Sequence, residues 1–199
     1  AFSYEQLELI NCGGNLGFNG LCRLLNDETK SEIAHGYFTP SQKKAKTVIQ
    51  QLKDNGTNIE YPCIGNVPQE GKKVVHQILV SAPAFGMYAN GDSANEKEQD
   101  EIQFMCALHA YRAQFEKCIN LAKKTNKPVN FKPTAVGLGV FGNKPTNVAK
   151  AFYQAASEYQ TSLKENKVTV NFQIYKGQYG ADPKAADSVR SFFLFHFFM

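Results

Sequence analysis

The sequence predicts an α/β protein, built as a three-layer α/β/α sandwich in which helices cover both faces of a central mixed sheet. Three observations predict this class. Residues 74–82 (VVHQILVSA) form a nearly continuous apolar run, typical of a strand buried on both faces. Residues 99–124 place apolar side chains at helical intervals. Strand-like and helical segments then alternate as far as residue 175, an order that builds a sheet between helices.

Local signals justify the elements of the amino-terminal part. Residues 4–12 suit either a strand or a short helix, and residues 18–25 carry leucines on one side of a helix. Thr39 is a suitable N-cap and Pro40 a suitable first-turn residue, so we expect a helix that starts at Pro40 and ends before Gly56.

The second half has clearer boundaries. Pro83 ends the strand at residues 74–82, and a polar, glycine-containing loop follows over residues 86–98. The sequence Asn-Lys-Pro at residues 126–128 breaks the long helix. The elements expected after that break are a strand at 129–136, a helix at 146–163 and a strand at 168–175.

Length and composition indicate one globular domain over residues 1–199, because 43% of the residues are hydrophobic and 20% are charged. The formal net charge is +4, and no Lys/Arg cluster exceeds a pair. A nucleic-acid groove needs a denser basic stripe, so we expect no nucleic-acid partner. Diffuse positive charge still suits a small anionic ligand.

The five cysteines indicate free thiols rather than a disulfide framework, because their number is odd and no C-x-x-C occurs. This favours an intracellular, reducing compartment. No spacing of His, Cys or Asp suggests a metal site, and no apolar run is long enough to cross a membrane. We therefore expect a monomer with no metal, no cofactor and no membrane span.

The stretch GLGVFG at residues 137–142 matches the pattern G-x-G-x-x-G. It follows a predicted strand and precedes a predicted helix, which puts it at the sheet edge where backbone N–H groups and the helix dipole favour phosphate. A Rossmann dinucleotide site is excluded by position. That motif opens its domain and has an acidic residue about 20 positions later, at the end of the second strand. Here Glu158 lies inside a predicted helix.

The segment over residues 73–175 resembles a macrodomain, the ADP-ribose-binding fold. The likeness is carried by the strand VVHQILVSAP at 74–83, the segment AVGLGVFG at 135–142 and the final strand, which occur in the family's order and spacing. By this resemblance residues 73–175 are the best-matched part of the domain. Residues 1–60 are then a divergent amino-terminal part, and residues 176–199 are a carboxyl-terminal extension.

The resemblance implies that the ligand is ADP-ribose, free or attached to a protein. Phe141 matches the aromatic residue that lies against the distal ribose, and Phe85 and Tyr88 flank the expected cleft, where they could stack on adenine or ribose. Each residue also has an ordinary interpretation, as a turn residue or a core aromatic. The remaining candidate ligand residues lie in the glycine loop and in a segment similar to the family's N-A-A-N motif: Gly137, Gly139, Val140, Gly142, Asn143, Asn11, Gly13, Gly14 and Asn15.

Removing ADP-ribose from a protein breaks a bond at an anomeric carbon. The transition state resembles an oxocarbenium ion, so a carboxylate is needed to stabilise it or to activate water. Asp92, in the loop after the 74–82 strand, and Asp100 and Glu101, at the start of the long helix, are the candidate catalytic residues. Acidic residues in a first helical turn are also favoured by the helix dipole without any catalytic role.

Three functions remain open at this point. The first is hydrolysis of ADP-ribose from modified protein. The loop SAPAFGMYANGD at residues 81–92 and the divergent amino-terminal part resemble effector macrodomains of intracellular bacterial pathogens, including ones that act on ADP-ribosylated ubiquitin. Such an effector is secreted into the host cytosol. The second is a reader that binds ADP-ribose without cleaving it. The third is a protein-interaction module whose Phe-rich segment at residues 191–199 docks a partner.

Overall fold

The structure is a computed structural model, and it describes residues 33–34, 37–55, 63–66, 75–78, 80, 82–87, 89, 91–139 and 141–172. Several predictions fall outside these residues: the elements at 4–12 and 18–25, the Phe-rich segment at 191–199, and the candidate ligand residues Asn11, Gly13, Gly14, Asn15, Tyr88 and Val140.

Helices and strands are mixed in the described residues, as the sequence predicts. The helices are α1 (Ala45–Asn55), α2 (Glu96–Thr125) and α3 (Pro145–Glu165). The strands are β1 (Ile33–Ala34), β2 (Tyr37–Phe38), β3 (Cys63–Asn66), β4 (Val75–Ile78), β5 (Val129–Phe131) and β6 (Val168–Val170).

These strands form three two-stranded ladders: β1–β2 and β3–β4 are antiparallel, and β5–β6 is parallel with Val129 opposite Val168. Helix α3 connects the two parallel strands, so the predicted β–α–β succession is present at this end of the chain. A single central sheet does not appear among the described strands. The fold is therefore shown as mixed α and β with a small parallel sheet.

The prediction that the strand at residues 74–82 is buried on both faces is wrong. In the described part of this run, strand β4 covers Val75–Ile78 and pairs antiparallel with β3, and both His76 and Gln77 are exposed. Consecutive strand residues point to opposite faces, so the exposure of both His76 and Gln77 means that neither face of β4 is fully buried at this point. The strand expected at 129–136 is likewise shorter and ends at Phe131.

Helix α2 confirms the helix predicted at 99–124 and extends it at its amino terminus. Asn95 is the N-cap, and its side-chain oxygen accepts a hydrogen bond from the backbone N–H of Glu98 at 3.0 Å. Asn126 ends the helix in the left-handed conformation (φ 51°), which asparagine tolerates better than most residues. The caps explain why α2 is 30 residues long.

Helix α1 starts at Ala45, five residues after the predicted start at Pro40. Residues 39–41 instead run along the loop before α2. The Ala94 N–H donates to the Pro40 carbonyl at 3.1 Å, and the Gln42 N–H donates to the Asp92 carbonyl at 3.0 Å. Thr39 is therefore not the N-cap, because long-range pairing prevails over the local cap signal.

Two core clusters lie on either side of α2. One is formed with α1 and includes Val48, Leu52 and Ile102. The other is formed with α3, β5 and β6, and its centre is aromatic: the rings of Tyr111 and Phe152 pack edge to face with centroids 5.1 Å apart. The phenylalanines and tyrosines of the sequence thus build a core here, and α2 carries both clusters.

Candidate ligand-binding site

The glycine loop, residues 137–142, lies between β5 and α3 as predicted. Its described glycines all have positive φ: 87° at Gly137, 79° at Gly139 and 68° at Gly142. The loop is closed by two backbone hydrogen bonds, from Gly142 N–H to the Gly139 carbonyl at 2.9 Å and from Asn143 N–H to the Gly137 carbonyl at 3.1 Å. Only glycine takes these backbone conformations without strain.

The three glycines differ in what surrounds them. A Cβ atom on Gly137 would lie 2.6 Å from the Cβ of Ala82, and one on Gly142 would lie 2.7 Å from the backbone N of Gly86. These two glycines allow the loop to pack closely on its neighbour. A Cβ on Gly139 would meet no atom within 4 Å. Gly139 is thus the described loop glycine at which another molecule can approach the backbone.

The glycine loop is joined to residues 82–86. The backbone N–H groups of Phe85 and Gly86 both donate to the Phe141 carbonyl, at 2.7 and 2.9 Å. The side-chain amide of Asn143 donates to the Pro83 carbonyl at 2.7 Å and to the Gly137 carbonyl at 3.0 Å. The structure therefore brings the backbones of Phe85 and Phe141 and the side chain of Asn143 together at one junction.

Asn143 and Phe85 have structural roles at this junction. Asn143 is 6% exposed and its amide nitrogen already serves protein carbonyls, so it holds the two loops together. The Phe85 ring packs against the core cluster between α1 and α2. Phe141 is half-buried at the junction of the loops. The sequence predicted where this junction lies. The contacts show that Asn143 and Phe85 are engaged within the protein, whereas Phe141 is partly accessible to solvent.

The backbone donors of the loop are unequally available. The N–H groups of Gly142 and Asn143 donate inside the loop, and the N–H of Lys144 donates to the side-chain oxygen of Gln103 at 2.8 Å. Within the described residues the N–H groups of Leu138 and Gly139 make no hydrogen bond to protein. Free donors and open space thus coincide at Gly139, near the amino-terminal, positive end of the α3 dipole.

A polar network joins the first turns of α2 and α3. The Lys144 ammonium lies 2.7 Å from Glu96 and 2.9 Å from Asp100, and the hydrogen bonds that it donates to Glu96 and then to Asp100 raise the pKa of Lys144. The Asn147 amide donates to Asp100 at 3.0 Å and to Gln103 at 3.1 Å. The network holds the start of α3, and with it the glycine loop, against α2.

Gln103 was missed by the sequence patterns. It is 1% exposed, and its side-chain oxygen accepts from both the Lys144 N–H and the Asn147 amide. The available signal was a glutamine at a core-facing position of an amphipathic helix, since a buried amide must find partners. That signal says that partners exist, and only the tertiary structure says which residues they are.

The three candidate catalytic carboxylates do not converge. Asp100 faces α3 through Lys144, whereas Glu101 forms an ion pair with Lys53 of α1 at 2.7 Å. Neighbouring helical residues point about 100° apart, so these two cannot act as a pair. Asp92 lies in the loop before α2 with its side chain exposed, and within the described part of the chain its carboxylate makes no ion pair. Its backbone carbonyl is held by Gln42.

A separate, mostly apolar cavity of about 330 Å³ lies between α1 and α2. Its floor includes Phe104, Met105 and Leu108, and the Lys53–Glu101 ion pair lies at its rim. His109 also lines it, with the ring nitrogen Nε2 3.1 Å from the Leu52 carbonyl. No residue of the glycine loop lines this cavity, so it is not the predicted cleft.

No protein-family model, curated protein or solved structure matches the chain. The macrodomain resemblance of residues 73–175 therefore stays a prediction from the sequence.

Two further observations concern metals and membranes. In the described ranges, no three His, Cys, Asp or Glu side chains are grouped to hold a metal ion. No helix there combines the length and apolar character that a membrane crossing requires.

Proposed function

We propose that this chain is a divergent macrodomain-like protein that binds ADP-ribose and hydrolyses it from a modified protein. The observation that carries the proposal is the loop between parallel strand β5 and helix α3. At Gly139 it combines positive φ, open space and backbone N–H groups that have no hydrogen-bond acceptor among the described residues. A three-layer α/β/α sandwich around the β5–α3–β6 unit is part of this proposal.

The diphosphate is assigned to the Gly139 end of the loop. Its oxygens would accept hydrogen bonds from the N–H groups of Leu138 and Gly139, where the absence of a side chain lets the backbone reach the anion. The loop needs little rearrangement for this, because Asn143 and the Phe141 carbonyl already fix it to residues 82–86. A prearranged site lowers the entropy cost of binding.

Asp92 is assigned the chemical step. It is the one candidate carboxylate whose side chain is exposed and not committed to an ion pair in the described residues. It would stabilise the positive charge that develops at the anomeric carbon, or accept the proton of the attacking water. Asp100 acts differently here, because it positions Lys144 and Asn147 and thus the start of α3.

The cellular setting is proposed on two grounds: the odd number of cysteines favours a reducing compartment, and the resemblance to effector macrodomains supplies the host cytosol. The protein acts as a monomer in an intracellular, reducing compartment. If it is a bacterial effector it acts in the host cytosol, with ADP-ribosylated ubiquitin as a candidate substrate.

Calorimetric titration with ADP-ribose tests the binding step in the wild type, Gly139→Glu and Gln160→Glu. Glu at 139 places a negative charge in the open space assigned to the diphosphate, so we expect at least a tenfold loss of affinity there. Gln160 is exposed far along α3, so its substitution adds the same charge away from the loop and should leave affinity unchanged. Thermal melts verify that all three proteins fold.

Two results would contradict this proposal. One is a folded wild type that gives no heat and no thermal shift with ADP-ribose. The other is a folded Gly139→Glu variant that binds as tightly as the wild type, which would remove the loop from the site.

Release of ADP-ribose from modified protein tests the chemical step. In Asp92→Asn we expect the rate to fall by at least a hundredfold while affinity for free ADP-ribose stays within twofold, because the amide retains size and polarity but cannot take a proton or carry charge. Asp54→Asn is the matched control, since Asp54 is an exposed carboxylate on α1. Equal rates in Asp92→Asn and wild type would exclude Asp92 from the chemistry.

The non-catalytic reader is the second candidate function. It is favoured by the ion pairs of Asp100 and Glu101, which leave no pair of free carboxylates at the start of α2. A reader would bind ADP-ribose with the same sensitivity at Gly139 but release none from modified proteins. The wild-type measurements above therefore separate the two functions.

A further inference from the structure

Met87 is exposed to an unusual degree for its type. It is 80% exposed, and it is the one large hydrophobic side chain that is exposed in the described part of the chain. A scattered exposed methionine needs no explanation by itself. Its position relative to the glycine loop supplies the further argument.

Met87 lies in a turn whose backbone is fixed to the glycine loop. The Ala89 N–H donates to the Gly86 carbonyl at 2.9 Å, which closes the turn, and the Gly86 N–H donates to the Phe141 carbonyl at 2.9 Å. Gly142 packs directly on the backbone of Gly86. Met87 is thus one residue away from the junction between the two loops.

We propose that Met87 contacts the polypeptide that carries the ADP-ribose, through an apolar side chain close to the modified residue. This inference rests on the proposed function, because the turn borders the loop assigned to ADP-ribose. A modified protein extends beyond the nucleotide cleft, so it reaches surface that free ADP-ribose does not. A methionine there adapts its flexible thioether chain to partners of different shape.

The test uses pairs of short ADP-ribosylated peptides that differ only in the residue beside the modification, Leu in one and Ser in the other. Each pair is made with Arg-linked and with Ser-linked ADP-ribose. Wild type, Met87→Ser and Met87→Leu are compared by peptide affinity and, where ADP-ribose is released, by KM and kcat. Affinity for free ADP-ribose is measured on the same proteins.

We expect the wild type to prefer the Leu-flanked peptide by about fivefold in affinity or KM, as partial burial of one methionine side chain allows. Met87→Ser should abolish the preference, Met87→Leu should keep it, and kcat and free ADP-ribose affinity should stay within twofold in both. A wild type without the preference, or a Met87→Ser variant that keeps it, overturns the inference.

Two other outcomes are informative. If Met87→Ser loses affinity for free ADP-ribose, Met87 contacts the nucleotide and the inference is overturned. If the folded wild type binds neither ADP-ribose nor any peptide, the proposed function fails and this inference fails with it. The titration with free ADP-ribose separates that case from a failure of Met87 alone.

Discussion

At the scale of single residues, the three described glycines of the 137–142 loop share one backbone requirement but differ in packing. All have positive φ, yet a Cβ would collide with Ala82 at Gly137 and would meet nothing at Gly139. A packing role and a ligand-approach role can therefore be separated by substitution. The distinction is invisible in the sequence, where all three are glycines of one motif.

Alanine at these positions should destabilise the protein unequally. We expect Gly139→Ala to cost about 1 kcal/mol, the strain of a left-handed backbone, in the free energy of unfolding. Gly137→Ala should cost about 2–4 kcal/mol, because its Cβ would also lie 2.6 Å from that of Ala82. Urea denaturation of both variants and the wild type measures the difference. Equal losses in the two variants would show that packing at Gly137 is not tight.

At the scale of elements, the sequence predicts the long amphipathic helices best. The helix expected at 99–124 corresponds to α2, and the one expected at 146–163 corresponds to α3, each within a few residues. Their apolar periodicity extends over many turns, so chance matches average out. Capping by Asn95 and Asn126 then accounts for the small differences at the ends of α2.

Short elements were predicted less well because long-range contacts decide them. Residues 39–41 carry a helix-start signal but pair with the loop before α2. The described part of the apolar run at 74–82 contains an antiparallel strand with two exposed residues, not a strand buried on both faces. A few residues hold too little local preference to resist such pairing.

The candidate site shows the same division between local and distant information. The position of the glycine loop between a strand and a helix is a local property, and it was predicted. The hydrogen bonds that fix the loop are not local. The Asn143 amide donates to the Pro83 carbonyl 60 positions away, and the Lys144 N–H donates to the Gln103 side chain 41 positions away. The sequence also did not predict the directions in which the two acidic side chains point. Asp100 and Glu101 are neighbours in sequence, but they pair with different helices.

At the scale of the whole molecule, α2 connects the two core clusters, and ion pairs at the surface link it to the neighbouring helices. The strongest by geometry is the bidentate pair in which Arg112 Nε and Nη2 donate to the two carboxylate oxygens of Glu158 on α3, both at 2.6 Å. Gln154 donates to the same carboxylate at 3.0 Å. The hydrogen bond from Arg112 is the main reason that the pKa of Glu158 lies below its usual range.

This lowered pKa predicts a pH-dependent contribution to stability. A carboxyl group whose folded-state pKa is depressed stabilises the fold fully above its unfolded pKa, near 4.5, and loses that contribution as pH falls through the folded pKa. Since the pair is about one-third exposed, its contribution at pH 7 should be about 1 kcal/mol, the upper end for a surface ion pair. Glu158→Gln should therefore be less stable than wild type at pH 7, and this deficit should shrink as the pH falls below about 4.5.

Urea unfolding at pH 7, 5 and 3 measures this difference, with Glu165→Gln as the control. Glu165 is an exposed glutamate at the end of α3, and it has no ion pair among the described residues, so its removal should produce no such loss at pH 7. A Glu158→Gln deficit that is as large at pH 3 as at pH 7 would mean that the carboxylate's charge does not stabilise the contact. The contribution of Glu158 to the contact between α2 and α3 would then come from packing alone.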